Sequence, residues 1–516
     1  MDTEVLIIGA GPTGLVLALW LARLGVRIRI VDLSPGPGTT SRALAVQART
    51  LELYRQLDLA ETVVARGHRV PAVNLWARGR KAARVDFRDI GAGLTRYPFV
   101  EIFPQDEHER LLVERLREAG IEVGRRTALT GFTEDGAGIT ARLRHEDGPE
   151  ESCTARYIAG CDGAGSDLRK ALGIGFAGGT YHDTYYVADI EAAGPAIDGE
   201  LHVGLDRADF LGVFPLAASG RARLVGTIRS APRPGGAPLA FADIGPRVIG
   251  ELRIAVARVN WFSTYRVHHR VAGQFRKGRA FLLGDAAHIH SPVGGQGMNT
   301  GILDAINLAW KLAEVLAGRA GDGLLDSYGA ERAGFARRLV ATTDRVFGIV
   351  TAEGRLAGLL RSRIAPRLLA GILSLAPARV FLFRTVAQLR MNYRGSPLSA
   401  GRAGRIAGGD RLPWVAAAGA TDNHAPLAQI GWQVHVYGRA GPELVAWCRD
   451  RALPLHVFPW HPAHGRAGLA RDALYLLRPD THVALADPAG DMRRLAGYFA
   501  ARGIRLRREP GPGAAS

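Results

Sequence analysis

Short apolar runs without helical period alternate with amphipathic stretches along most of the chain. Val5–Ile8 is an uninterrupted apolar run, the pattern of a strand buried on both faces. Residues 13–24 carry helical spacing and end at Gly25, a residue suited to a helix C-cap, and 26–31 form a second apolar run. Together they predict a β-α-β unit at the N-terminus. Residues 42–57 and 106–119 read as helices, and 121–160 alternate as strands do, with turns at Asp135-Gly136 and Asp147-Gly148. The stretch 181–269 is richer in strands, at 185–190, 210–215, 223–228 and 265–269, and reads as a sheet inserted into the first lobe. A buried strand at 280–283 and an amphipathic helix over 301–317 follow. From 328 to 395 the pattern is mostly helical and studded with arginine, and 401–413, rich in Gly and Arg, reads as a linker. Beyond it, strands at 434–437, Leu455–Phe458, Leu474–Leu477 and 482–486 and a helix near 490–502 predict a small α/β domain over 414–505. The Pro/Gly/Ala-rich tail 509–516 reads as a frayed end.

Bulk composition changes little. At about 100–200 residues per domain, 516 residues suggest about three or four domains or two large lobes and a tail. The formal net charge of +17 would suit a nucleic-acid binder, but the basic residues are spread along the chain and no nucleic-acid module accompanies them. Only Lys81, Lys170, Lys277 and Lys311 are lysines. The arginine field favours anionic cofactors and acidic substrates instead. Cys153, Cys161 and Cys448 have no metal-ligand spacing and are too few for a disulfide framework, which fits a reducing cytoplasm. The uncharged run over 5–22 has the length of a membrane segment, but Asp2 and Glu4 precede it and Gly9, Gly11, Pro12 and Gly14 interrupt it. No stable membrane insertion is expected.

Three motifs carry the chemistry. Gly9-Ala10-Gly11-Pro12-Thr13-Gly14 follows the first strand and opens the first helix, and Asp32 ends the next strand, which completes a dinucleotide fingerprint. Gly9 permits the tight turn, Gly11 lets a pyrophosphate approach the backbone, and Gly14 lets helix and strand pack closely. Phosphates then meet N–H groups at the helix N-terminus, and Asp32 can accept from ribose hydroxyls. The second motif runs from Ala159 to Arg169 and contains Asp162-Gly163. The third is Gly284-Asp285-Ala286-Ala287-His288, continued by Ser291-Pro292-Val293-Gly294-Gly295-Gln296-Gly297-Met298-Asn299.

At these positions the chain resembles the class A flavoprotein aromatic hydroxylases, the group of p-hydroxybenzoate hydroxylase and phenol hydroxylase. The resemblance covers residues 1–400 and extends more weakly into the C-terminal domain. It implies an α/β fold: a Rossmann-like FAD-binding lobe with a helical extension (1–180 and 270–400), an inserted β-rich substrate domain (181–269) and a thioredoxin-like domain (414–505). It also implies a tightly bound, non-covalent FAD, with NADPH or NADH as co-substrate. Asp285 would bind the ribityl chain. Pro292, Gly295, Gln296, Gly297, Met298 and Asn299 would line the isoalloxazine, where a helix starting near Met298 directs its positive end at a reduced, anionic ring. Asp162 and Gly163 mark a region serving FAD and NADPH, and Arg42 and Gln105 would hold FAD on its other side. The implied reaction is insertion of one atom of O2 into a phenolic or polycyclic ring through a C4a-hydroperoxyflavin, in a site that excludes water. No residue is singled out as the base that activates the phenol.

Other residues keep two readings. His288 and His290 lie two positions apart without an acidic neighbour and read as structural rather than metal-binding. His268 and His269 read as packing. Trp261, Phe262, Tyr265, Phe214, Tyr185 and Tyr186 either face an aromatic substrate or fill a sheet core. With no C-x-x-C, the C-terminal domain is expected to be structural or oligomeric, in a monomer or a homodimer. Helices at 355–390 could lie on an anionic membrane or pack on the core. The alternative functions are a flavoprotein epoxidase or reductase acting on a lipid-like substrate, and a non-catalytic FAD-binding protein.

Overall fold

A computed structural model describes residues 1–39, 43–77, 79–88, 90–146, 148–206, 209–216, 220–228, 239–244, 246–290, 295–351, 371–372, 375–416 and 422–506. Arg42, Pro292 and most of the candidate membrane-facing stretch therefore lie outside the described residues.

The first lobe is built on a six-stranded sheet whose strand order is Arg276–Lys277, Ala280–Leu282, Tyr157–Gly160, Val5–Ile8, Ile28–Val31 and Val123–Gly124. Its central strands run parallel, and Val5, Leu6 and Ile7 are fully buried, as a sheet covered on both faces requires. The helices Pro12–Arg23 and Gly297–Leu316 pack on it and on each other. A three-stranded antiparallel sheet over 127–155 flanks the lobe.

An eight-stranded sheet forms the second layer, in the order His288–Ile289, Ala255–Ala272, Phe176–Ala193, Arg221–Ile228, Asp209–Pro215, Leu201–Asp206, Ala72–Ala77 and Arg80–Asp86. Its last two strands come from the first hundred residues. The outer one, with Arg80, Lys81 and Arg84, is too polar to be seen by apolar alternation, as suits an exposed edge.

Two sequence expectations change. Residues 42–57 are not one helix: Ala45–Val46 is a strand paired with Val100–Ile102, and the helix begins at Ala48. Local spacing favours helix there, but the strand register is set by residues far away in sequence. Residues 401–413 are not a free linker. Ala400–Ala403 pairs in parallel with Val483–Asp487, and Arg411 forms a buried ion pair with Glu52. The glycines serve close approach, since a Cβ on Gly401 would lie 2.2 Å from the Ala486 carbonyl oxygen.

Beyond it, Gln433–Tyr437, a helix, Leu455–Phe458, a helix, Leu474–Leu477, Val483–Asp487 and a final helix form a βαβαββα unit. Strand Gln433–Tyr437 is parallel to Leu455–Phe458 and antiparallel to Leu474–Leu477, which is antiparallel to Val483–Asp487. The core of the first lobe continues into this unit, where Trp310 meets Trp432 edge-on at 5.6 Å between ring centroids.

Candidate flavin site

The glycine turn is shaped by contact on two sides and left open on the third. Gly9 has φ +101°, and a Cβ there would lie 2.3 Å from the Cys161 carbonyl oxygen. A Cβ on Gly14 would lie 2.0 Å from the Gly9 carbonyl oxygen. At Gly11, the helix N-cap, a Cβ meets no protein atom within 4 Å. No side chain caps this helix, and Pro12 occupies its first turn. The main chain here can therefore be approached closely by an anion at the positive helix end. Asp32 Oδ2 accepts from the Ala10 N–H at 2.6 Å and Oδ1 from the Ser34 N–H at 2.7 Å. Each oxygen has a second lone pair for a ribose hydroxyl.

The second motif meets the first because Ile8 and Gly160 are register partners, and the Cys161 N–H donates to the Ile8 carbonyl at 2.7 Å. Asp162 Oδ2 accepts from the Leu168 N–H, whereas its buried Oδ1 has no partner among the described residues. Burial pushes this carboxyl above its ordinary range. Gly163 follows with φ +73°. Arg169 donates to the carbonyls of Ala164 and Ala286 at 2.8 and 2.9 Å and so ties the second motif to the third.

The third motif packs against Thr13. Its hydroxyl would lie 2.7 Å from a Cβ on Gly284 and 2.3 Å from one on Gly301. Asp285 lies exposed in the short turn Gly284–Ala286. Behind it, buried Asp304 accepts from the Gly284 N–H at 3.0 Å, pairs with His288 at 2.7 Å and pairs with Arg332 at 2.5 Å. Burial opposes the Asp304 charge, but Arg332 and His288 outweigh it and hold the carboxyl below its ordinary range. Asp304 and Arg332 escaped the motif search. Their signal was a polar stripe, Asp304, Asn307 and Lys311, on one face of an otherwise apolar helix.

Past residue 294, Gly295 has φ +61°, with its Cβ position 3.2 Å from the Ala45 Cβ. The helix starts at Gly297 with Gln296 as N-cap and no side-chain cap, so a second positive helix end points at this region. Met298 is partly buried against the core. The Asn299 side chain is spent on protein: it accepts from the Gln47 N–H and the Thr50 hydroxyl at 2.8 Å each, and donates to the carbonyls of Ala45 and Gly295. Asn299 thus clamps the loop to the Ala45–Val46 strand. Gln105 opens the helix Gln105–Glu118, donates to Glu109 at 2.8 Å, and its N–H bonds the Ala43 carbonyl, beside the segment that carries Arg42.

Strand alternation divides the candidate aromatics. Tyr186 and Phe262 belong to the cluster on one face of the eight-stranded sheet, with Leu211, Val213 and Leu224. Tyr185 and Tyr265 pack together in a separate cluster with Val267. Phe214 joins Leu44, Ala45 and Ile102, the side of the sheet nearest the Gly295 loop. Trp261 lies 5.7 Å from Arg223, which is buried in a two-bond pair with Asp189.

A dinucleotide turn, an Asp-Gly loop and a Gly-Asp turn are thus held together by Thr13 and Arg169. Residues 2–343 match the model of the FAD binding domain family, and the chain belongs to that family. It is 36% identical over 425 residues to 6-methylpretetramide 4-monooxygenase of Streptomyces rimosus, covering 78% of this chain and 72% of that one. It is 33% identical over 362 residues to pentachlorophenol 4-monooxygenase of Sphingobium chlorophenolicum, covering 69% and 66%. The solved structure of OxyS anhydrotetracycline hydroxylase from Streptomyces rimosus superposes with a TM-score of 0.78 at 28% identity, over 98% of this chain and 100% of that one. The chain is an FAD-dependent monooxygenase of the aromatic hydroxylase class. Among the described residues no helix is long and apolar enough to cross a membrane.

Proposed function

We propose that this monooxygenase hydroxylates a phenolic, polycyclic aromatic compound at the expense of NAD(P)H and O2, in the cytoplasm. The observation that carries the reading is the convergence of three motifs, far apart in sequence, at one place: Gly9 packs on Cys161, Thr13 on Gly284, and Arg169 bonds the Ala286 carbonyl, beside a helix end without a side-chain cap. Bound flavin supplies the oxygen-activating chemistry. Gly11, Thr13 and Gly14 meet its pyrophosphate, Asp32 its adenosine ribose and Asp285 its ribityl chain. The turn at Gly295–Met298 would line the isoalloxazine, where the uncapped helix start at Gly297 would stabilise negative charge on the ring. Asp162, whose Oδ1 has no hydrogen bond among the described residues, serves the nicotinamide donor as well as FAD.

The polycyclic substrate is supported by the names of 6-methylpretetramide 4-monooxygenase and OxyS anhydrotetracycline hydroxylase and by an apolar surface beside the Gly295 loop. Phe87, Val100, Leu201, Phe214 and Leu216 are only partly buried there, between the flavin lobe and the sheet. We assign residues 1–180 and 270–400 to the flavin lobe, except that Ala72–Ala77 and Arg80–Asp86 join the sheet of the 181–269 substrate domain, and 414–505 to a thioredoxin-like domain, for which the βαβαββα order of elements is the support. That domain has no thiol chemistry in this reading: Cys448 is buried, and burial pushes its thiol up to about 12.

The test is a panel of single-ring phenols, naphthols and tetracyclic phenols given to purified holoenzyme. NAD(P)H loss and product mass are followed together. A polycycle should stimulate NAD(P)H loss and gain one oxygen atom. Stimulation only by single-ring phenols would refute the substrate class, and loss without any oxygenated product would refute the monooxygenation of aromatics.

A further inference from the structure

The hairpin between strands Leu474–Leu477 and Val483–Asp487 drives a charged turn into the flavin lobe. Arg478, Asp480 and His482 are all buried. The turn is tight, with the Arg478 N–H on the His482 carbonyl at 2.9 Å and Thr481 at φ +64°. Charged groups taken so far from water need defined partners.

Those partners lie on the two helices that carry the flavin clamp, in the turn Arg55–Leu57 that follows the first of them, and at Glu331 of the helix Asp326–Thr351. On the Ala48–Tyr54 side, Arg49 donates to the Asp480 carbonyl at 2.9 Å, and Gln56 donates to the Pro479 carbonyl at 2.8 Å. On the Gly297–Leu316 helix, Trp310 Nε1 and Asn307 Nδ2 donate to Asp480 Oδ2 at 3.2 and 3.5 Å. Arg478 meanwhile grips Glu331, which also holds Lys311 of the same helix. Burial opposes the Asp480 charge, but Arg478 and His482 outweigh it and keep the carboxylate ionised.

The two helices meet again at their N-terminal ends. There Asn299 accepts from Gln47 and Thr50 and donates to Ala45 and Gly295. Eight residues of helix, about 12 Å at 1.5 Å per residue, separate this clamp from Asn307. Asp480 and Asn299 are thus two fixed points joining the same pair of helices, one at the flavin loop and one behind it.

We infer that the 478–482 hairpin of the C-terminal domain is a wedge that sets the flavin loop, with Asp480 as a positioning residue acting through the Ala48–Tyr54 and Gly297–Leu316 helices. This gives a domain without redox cysteines a function in the flavin site. The inference rests on the FAD reading above, and the wild-type holoenzyme controls for that reading independently.

The test is Asp480→Asn in the full chain. The substitution keeps the shape but removes the charge and places an NH2 group among donors. Hydrogen exchange over residues 43–50 and 295–300 should quicken, while exchange over the central strand 5–8 stays as in wild type. The visible circular dichroism of bound FAD should change, and its dissociation constant should rise by about tenfold or more. A cooperatively folded Asp480→Asn protein with wild-type exchange in both clamp segments, wild-type dichroism and wild-type affinity would overturn the inference and leave the hairpin as domain adhesive. If that variant does not fold, Trp310→Phe decides: it removes the indole donor to Asp480 and keeps a smaller aromatic ring against Trp432. Faster exchange at 295–300 would support the wedge, and unchanged exchange would reject it. A wild-type protein that took up no flavin would instead sink the FAD reading itself.

Discussion

Around Gly9 to Gly14 the protein presents main chain and almost no charge. Around Arg478 to His482 it buries carboxylates and guanidinium groups together. In the first region the helix end has no side-chain cap and Gly11 faces no protein atom. In the second, Glu331 alone accepts from Lys311, Asn307, Ser396 and Arg478. A cofactor site must leave its donors for the ligand, whereas a domain junction must use its own up. The difference teaches how to tell binding surface from scaffold when both are polar and inside the molecule.

The contrast breaks most sharply at Gly11. Gly11→Val should fold, because a Cβ there meets no atom of the described residues within 4 Å, and should be isolated colourless, because its side chain occupies the proposed path of the pyrophosphate. A yellow, active variant would place the dinucleotide elsewhere. Gly14→Val is the companion: its Cβ collides with the Gly9 carbonyl, so it should fail at folding instead. Absorbance per folded molecule separates the two.

At the junction the order of losses reverses. Glu331→Gln leaves Lys311 and Arg478 buried without their shared anion, which should cost about 3–5 kcal/mol of stability. Urea denaturation measures it through the midpoint. A loss under about 1 kcal/mol, the size expected of an exposed pair, would mean that the junction is wetter than its burial indicates.

Glu101 is a third case, a buried carboxyl without a hydrogen-bond partner among the described residues. Both its oxygens lack hydrogen bonds among the described residues, and a Cβ on Gly67 would lie 2.0 Å from Oε1. Burial, only partly offset by Arg69, raises this group to about 8 from an ordinary 4.5. Between these values the folded chain keeps a proton that the unfolded chain releases. Stability from this group therefore falls as pH rises from 4.5 to about 8 and is flat outside that window. At about 1.4 kcal/mol per unit the whole window is worth up to about 5 kcal/mol. Glu101→Gln should remove the slope, so its melting temperature should overtake that of wild type above pH 7. Parallel curves at pH 5.5 and 8.5 would show that Glu101 finds a partner in solution.

The turns of the candidate flavin site were legible from one dimension because they are local devices. A turn that needs φ above zero at Gly9, an acidic residue a fixed distance on, and a helix start after Gly295 each write their requirement within a few residues. The bent course of residues 43–48 and the pairing of 400–403 with 483–487 were not legible, since their register belongs to partners hundreds of positions away. The aromatics of the eight-stranded sheet carried no face label until strand pairing separated Tyr185 from Tyr186.

Local pattern was enough for the dinucleotide turn, the Asp-Gly and Gly-Asp loops and the strands and helices that flank them, because steric and periodic constraints act between near neighbours. Only the tertiary structure decided that Thr13 and Arg169 bring those loops together, that Asn299 is a clamp, and that Asp480 braces the same helices from behind. These are long-range pairings of buried polar groups. Their partners are chosen by the need to satisfy charge away from water, and no local pattern records which group will be near.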